Sequence, residues 1–425
     1  MQQINKIFIF LIPPSLVFSI FVADFITLIF CIFFLYFVIF KKEYSLLKND
    51  FFIFGILISI YFIFLSLISD EPMLSLRSSL FYFRFILFAL ILSYFLKKYP
   101  INYKIIFFSF LLIYSLIIID SFFQIIFGFN TLGYIYDGKH LKSFFKDEKI
   151  LGSYLIRTIP IFLGVYFLIS KKFKKITLIY LIAFIITLEI IILYTGERTA
   201  IVLTFLFNLL FLSMIIKYSK KLFTILILLL MLTTSLLFFN KDFRTNIVER
   251  TISQIYTLDK TSGQKDFYFF SYEHEAHYIT SLRMFKDNIL FGTGPRMFRH
   301  KCDNPKYIVI ISKTENGCSS HSHSLYLQIL SETGVITFIL LLFVLLLVIY
   351  KIIKFTLFES SDDNKKILFL FCFFINIFPI IPYGNFFNNW LSIIFYLPIA
   401  FLININSFIL FNFIAKYKNK NILLK

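Results

Sequence analysis

Long apolar runs, broken by short polar interruptions, carry the chain from its first residues to its last. Twelve runs are long enough to predict bilayer-crossing helices, at about 20 apolar residues per crossing. They lie at roughly 4–22, 25–40, 51–69, 78–96, 105–127, 152–170, 176–194, 199–216, 222–239, 323–350, 367–384 and 391–412. The expected class is all-α: a polytopic integral membrane protein, residues 1–425 forming a single transmembrane domain. One interruption is far longer than an ordinary connection, the segment 240–322 between the ninth and tenth runs. Within it "EHEAHYITSLRMFKDN" places Tyr278, Ile279, Leu282 and Phe285 on one helical face, so this loop is expected to be partly helical. "NILFGTGPRMF" then reads as a tight turn built on Gly292, Gly294 and Pro295.

Composition agrees with the pattern, since 59% of residues are hydrophobic. The net charge of +18 invites a nucleic-acid reading, but the cations fall mostly in alternate connections. One set reads "KKEYSLLK", "KKYPINYK", "KKFKK", "KYSKK" and a basic tail; the other reads "VAD", "SDEP", "TGERT" and "PYGNFFNNW". The positive-inside rule makes the first set and both termini cytoplasmic. The loops 128–151 and 240–322 then face outward, and no nucleic-acid partner is needed. The first run, interrupted by Pro13 and Pro14, lacks a small-residue cleavage pattern and is expected to be a membrane helix.

Polar chemistry gathers at the outward ends. Counting back ~20 residues at ~1.5 Å each from Lys351 spans the apolar slab and reaches Ser331. A continuous helix would lift His323 ~12 Å further, to headgroup level. On that helix His323, Ser324, Gln328, Ser331 and Glu332 share one half of the wheel, opposite Leu325, Tyr326, Ile329 and Leu330. Arg198 opens the eighth run at the same level, where helix amides also favour an anion. Glu197 is placed to orient it, and the plain alternative is a cation snorkelling to headgroups. The outward loop adds many cations, among them Arg283, Arg296 and Arg299, which suit a phosphorylated lipid. His274-x-x-His277 and His321-x-His323 have no acidic cluster to complete a metal set, so no metal is expected. His323 reads as a general base and His321 as a solvated turn residue. Cys302 and Cys318 bracket "DNPKYIVIISKTENG" in a loop expected to face an oxidising space, and are a candidate disulfide. Closing that loop contributes ~3 kcal/mol in the chain-entropy model.

The segments "TGERTAIV", "SLRMFKDNILFGTGPRMF" and "HSLYLQILSETG", with "KSFFKDEKILGSYLIRTIP" before them, resemble the bacterial O-antigen ligase and O-antigen polymerase superfamily. The resemblance covers about residues 140–345, and the order of motifs is nearer to the ligases. Ser324 stands where the family has Asn, and Ile289 where it has Pro. The resemblance implies a lipid-sugar glycosyltransferase (GT-C-like) fold with about 12 transmembrane helices in a bacterial inner membrane, the large periplasmic loop at 240–322, and a periplasmic active site. It implies a metal-independent, inverting enzyme without cofactor. This would move a glycan from a polyprenyl-pyrophosphate donor to lipid A-core, or to a growing glycan if it is a polymerase. Carried over, Arg198 and Arg283 contact the donor pyrophosphate, His323 activates the acceptor, and Arg296, Arg299, Gln328 and Glu197 contribute to substrate binding. The rival class is a membrane transporter or lipid flippase. It would rest on the mid-run charges Arg84, Asp120 and Glu189 and on Pro379 and Pro382 in the eleventh run.

Overall fold

The computed structural model describes residues 2–170, 175–215, 244–258, 265–309, 317–358 and 364–404, with isolated positions between 216 and 243. Its helices in chain order are α1 (Gln2–Phe18), α2 (Ile20–Ile39), α3 (Asp50–Leu67), α4 (Pro72–Ser79), α5 (Phe83–Lys98), α6 (Ile101–Phe127), α7 (Leu151–Ile169), α8 (Lys175–Tyr194) and α9 (Arg198–Ile215). After these come α10 (Arg250–Ile255), α11 (Tyr272–Asp287), α12 (Phe298–Lys301), α13 (Leu325–Phe358), α14 (Asn364–Asn376) and α15 (Asn389–Asn404). A hairpin of β1 (Tyr256–Leu258) with β2 (Lys265–Phe267) interrupts the helical pattern. Among the described residues seven helices are long and apolar enough to cross a membrane, and four shorter ones are apolar. The chain is an integral membrane protein with several helical spans. The run predicted at 222–239 lies largely outside the described residues, as does the end of the last run beyond 404.

Helices form here because the runs offer long apolar stretches and satisfy their own polar groups. Thr27, Ser59 and Ser66 donate to the carbonyls of Ala23, Gly55 and Phe62 one turn back. Pro14 has no N–H to offer the Phe10 carbonyl, and Ser109 Oγ of α6 donates to that carbonyl at 2.5 Å. The core sits on α5 and α7, which are buried nearly throughout. Helix α5 packs on α2 and α15, α7 on α14, and α1 on α6.

The connections separate to two ends of this bundle. At one end Lys98 pairs with Glu43 at 3.5 Å. At the other, Asp24 accepts from Arg84 Nε at 3.1 Å and Asn389 Nδ2 at 3.0 Å. Lys301 pairs with Asp70, and Ser75 Oγ donates to the Pro295 carbonyl at 3.0 Å. The loops grouped by their charge as outward-facing are thus in mutual contact. The three charges named for the transporter reading each have a polar partner of their own. Arg84 is paired with Asp24, Asp120 accepts from Thr131 and Ser143, and Glu189 accepts from Asn208.

Several boundaries differ from the sequence reading. The run 78–96 covers the end of α4, a turn at 80–82 and most of α5, and these two helices together make one of the seven spans. The run 367–384 is helical only to Asn376, because Pro379 and Pro382 follow and 377–388 is irregular. The run 323–350 is not one straight helix: α13 begins at Leu325 and is broken at Gly334 (φ 77°, ψ 179°). The amphipathic helix α11 is turned over. Ala276, His277, Thr280, Ser281 and Met284 are buried, whereas Ile279 and Leu282 are exposed. Its small polar side packs on protein, Gly317 lying against Ala276 and Thr280. Apolar periodicity in a membrane protein does not have to mark the inner face, since lipid also accepts it.

Candidate functional site

The break in α13 builds the site. A residue at φ 77°, ψ 179° must be glycine, and the break frees carbonyls that a straight helix would use. The turn 292–294 occupies them. Thr293 N donates to Ser331 O and Gly294 N to Glu332 O, each at 2.9 Å. On the far side of the break Val335 N donates to Ile289 O at 2.9 Å. The Glu332 carboxylate then accepts from Arg296 N (2.9 Å), Phe298 N (3.0 Å) and Gln328 Nε2 (2.9 Å). Gln328 also donates to Asn385 Oδ1 at 3.1 Å and accepts from Phe386 N at 3.0 Å. Gln328 and Glu332, two residues of the polar half expected on this helix, are therefore engaged with the neighbouring loops. Gln328 clamps loops rather than lining the cavity, which corrects its expected place in substrate binding.

Above this platform the chain turns at His323 (φ 54°), whose carbonyl accepts from Tyr383 N at 2.9 Å. The His323 ring lies 4.1 Å from that of His321, 5.0 Å from His277 and 5.3 Å from His274, centre to centre. The two histidine pairs read separately from sequence are one cluster. Their spacing held the signal in part: residues three apart on α11 share a face. Burial, then the neighbouring imidazoles, push His323 down to about 3. His321 and His274 are both pushed down to about 4, burial again first. His321 is thus no solvated turn residue, and His323, His321 and His274 stay neutral near pH 7. Among the described residues no set of three or more His, Cys, Asp or Glu is placed to hold a metal ion.

The cluster faces a cavity of about 770 Å³ at the end of the bundle where the outward-grouped loops meet. Its cations are Lys149, Arg157, Arg198, Arg250 and Arg299. Arg198 is the first residue of α9, as expected, and half-buried. Arg299 donates to Ser320 O at 3.2 Å, and its buried Nε has no partner. Arg250 reaches His140 Nε2 at 3.4 Å. Arg296 is not in the lining; its backbone is held by Glu332. Arg283 is also outside the cavity. It is exposed and donates to the carbonyls of Tyr307 (3.4 Å) and Ile308 (2.6 Å), because helical rotation sets it away from the His274 and His277 face. Glu197 does line the cavity, but it does not hold Arg198. Its carboxylate accepts from Gly152 N (2.6 Å) and Ser153 N (3.0 Å), capping an α7 whose own N-cap, Ile150, has no side-chain oxygen. Burial pushes this carboxyl up to about 7. Lys149, Arg157 and Arg250 were not singled out by the sequence reading.

Cys302 and Cys318 form a disulfide. With Met284, Phe298 and Tyr307 buried around Cys302, it makes a small second core that ties the histidine segment to α11 and α12.

A family model described as O-antigen ligase matches residues 181–342, from α8 through the break in α13. No curated protein matches the chain.

Proposed function

From the support that the match over 181–342 gives to membership in the O-antigen ligase superfamily, we propose that the chain is an O-antigen ligase-like glycosyltransferase. It moves a glycan from a polyprenyl-pyrophosphate donor to lipid A-core at the periplasmic face of a bacterial inner membrane. The observation that carries the reading is a single cavity holding a neutral His323 beside Arg198, Arg250 and Arg299. A lipid pyrophosphate is a leaving group of low basicity that needs charge stabilisation more than protonation. Arginine forks provide this where water is scarce. The acceptor hydroxyl attacks the anomeric carbon from the face opposite the pyrophosphate. The new C–O bond forms as the bond to the phosphate oxygen breaks, and His323 takes the acceptor proton. Without a bound anion, burial holds the His323 pKa too low for a good base. The docked pyrophosphate is the anion that raises it, so the base becomes competent when donor is present.

Membrane vesicles supplied with a lipid-linked glycan and lipid A-core test the assignment. Product on lipid A-core is expected. Longer chains on polyprenyl pyrophosphate would make it a polymerase using the same donor and site, and no product of either kind would end the reading. In that assay Arg299→Ala is expected to lower transfer about 10–100-fold, as for loss of a charge-assisted contact. Arg283→Ala should cost no more than about threefold, since its partners are backbone carbonyls outside the cavity. The reverse order would return Arg283 to the site.

A further inference from the structure

One cation of the cavity is unlike the others. Arg250 is exposed and Arg198 and Arg299 are half-buried, but Arg157 is 2% exposed. It lies six residues into α7, ~9 Å of helix rise below the capped N-terminus. Its guanidinium stacks on the Tyr383 ring at 5.0 Å, and Tyr383 N holds the His323 carbonyl. Nε and Nη1 of Arg157 are buried without a hydrogen-bond partner. The carboxylate whose charge acts on it is Glu197, whose oxygens are committed to the α7 amides. No ion pair joins the two among the described residues. Burying an unpaired guanidinium is costly, and a cation–π contact offsets only part of that cost. The side chain nevertheless lines the cavity, so its missing partner has a route to it.

We infer that Arg157 is a substrate-binding residue that holds the lipid-proximal phosphate of the donor at the cavity floor, with the sugar-proximal phosphate held by the arginines of the mouth. This rests on the donor proposed above. The depth order follows the molecule: lipid toward the membrane, then two phosphates, then sugar. The cavity supplies an apolar side for the lipid in Ile20, Val202 and Leu391. Tyr383 links the two tiers, touching Arg157 through its ring and His323 through its backbone. A phosphate bound at the floor therefore fixes the distance from the lipid to the reacting carbon.

Trp390, the single tryptophan of the chain, lines the same cavity and serves as reporter. Its fluorescence is to be followed while the full chain in detergent is titrated with farnesyl diphosphate and with farnesyl monophosphate. The wild type is expected to prefer the diphosphate by about tenfold or more, the value of one charge-assisted contact. Arg157→Gln is expected to weaken both probes by about tenfold, because each carries the lipid-proximal phosphate, and so to keep the preference. Arg157→Lys should fall between, and Arg198→Gln should lose the preference while binding the monophosphate within about twofold of wild type. Arg157→Met controls for folding, because an apolar residue of similar volume is often tolerated in place of a buried charge. Monophosphate binding weakened in the Gln and Met variants of Arg157 and not in Arg198→Gln supports the inference. Monophosphate binding at wild-type strength in the Gln and Met variants, whatever their melting temperatures, overturns it and leaves the donor reading standing. A wild type that binds neither probe fails the donor reading itself.

Discussion

His323→Ala is expected to lower glycan transfer by about 10²–10⁴-fold, the range for loss of a positioned general base, with the protein still inserted in the membrane. His323 is the imidazole at the centre of the cluster, with three other rings within 5.3 Å. It is tied to the Tyr383 loop through its own carbonyl, whereas His321 meets the backbone of that loop through its ring. Its backbone lies at φ 54°, so alanine also adds strain of about 1 kcal/mol. Asparagine tolerates this conformation, and His323→Asn removes the base without the strain. Both variants are to be assayed for transfer at matched membrane levels. If His323→Asn retains more than about a tenth of wild-type transfer, another group accepts the proton and the role given to His323 is wrong.

Gly334→Ala is expected to be the most damaging single methyl in the chain. The position combines a backbone region open only to glycine with direct contact. A Cβ there would lie inside the van der Waals envelope of the Leu290 carbonyl. Strain alone costs about 1–3 kcal/mol, and the clash would push 289–294 off the broken helix, removing the acceptors of Thr293 and Gly294. Glu332 would then lose the amides of Arg296 and Phe298. Gly138→Ala is the control, since it shares a positive φ (72°) but its Cβ meets nothing within 4 Å. Thermal unfolding in detergent and protease sensitivity of the 240–322 loop should show a large effect at 334 and a small one at 138. Equal effects would mean that backbone strain, not docking of the turn, is what matters.

The sequence revealed what depends on long stretches. Run lengths located most membrane helices, and lysine placement grouped the loops that the structure brings together. Motif order pointed to the match at 181–342. The expected outward placement of the 240–322 loop made Cys302 and Cys318 a candidate disulfide, which the structure contains. What stayed hidden depends on single residues meeting across the fold. The four histidines converge from α11 and from the segment before α13, about 45 residues on. Gln328 and Glu332 face protein rather than cavity because the helix they sit on is broken two residues past Glu332. Arg283 followed the motif but not the face of α11. Arg157, within "GSYLIRTIP", carries no signal of its role, since one cation in an apolar run gives no sign of its neighbours.

The contact between the 289–294 turn and the 331–335 segment is made by main-chain groups on both sides, in the manner of a short strand pairing. Such an interface reads length, not side-chain identity. Apart from the glycines and Glu332, most substitutions in the two segments leave its bonds available. A single residue inserted or deleted in either would slide every donor past its acceptor. The tolerance of this protein to change is therefore set here by chain register, and natural variation in these segments is expected to take the form of exchanged letters at fixed spacing.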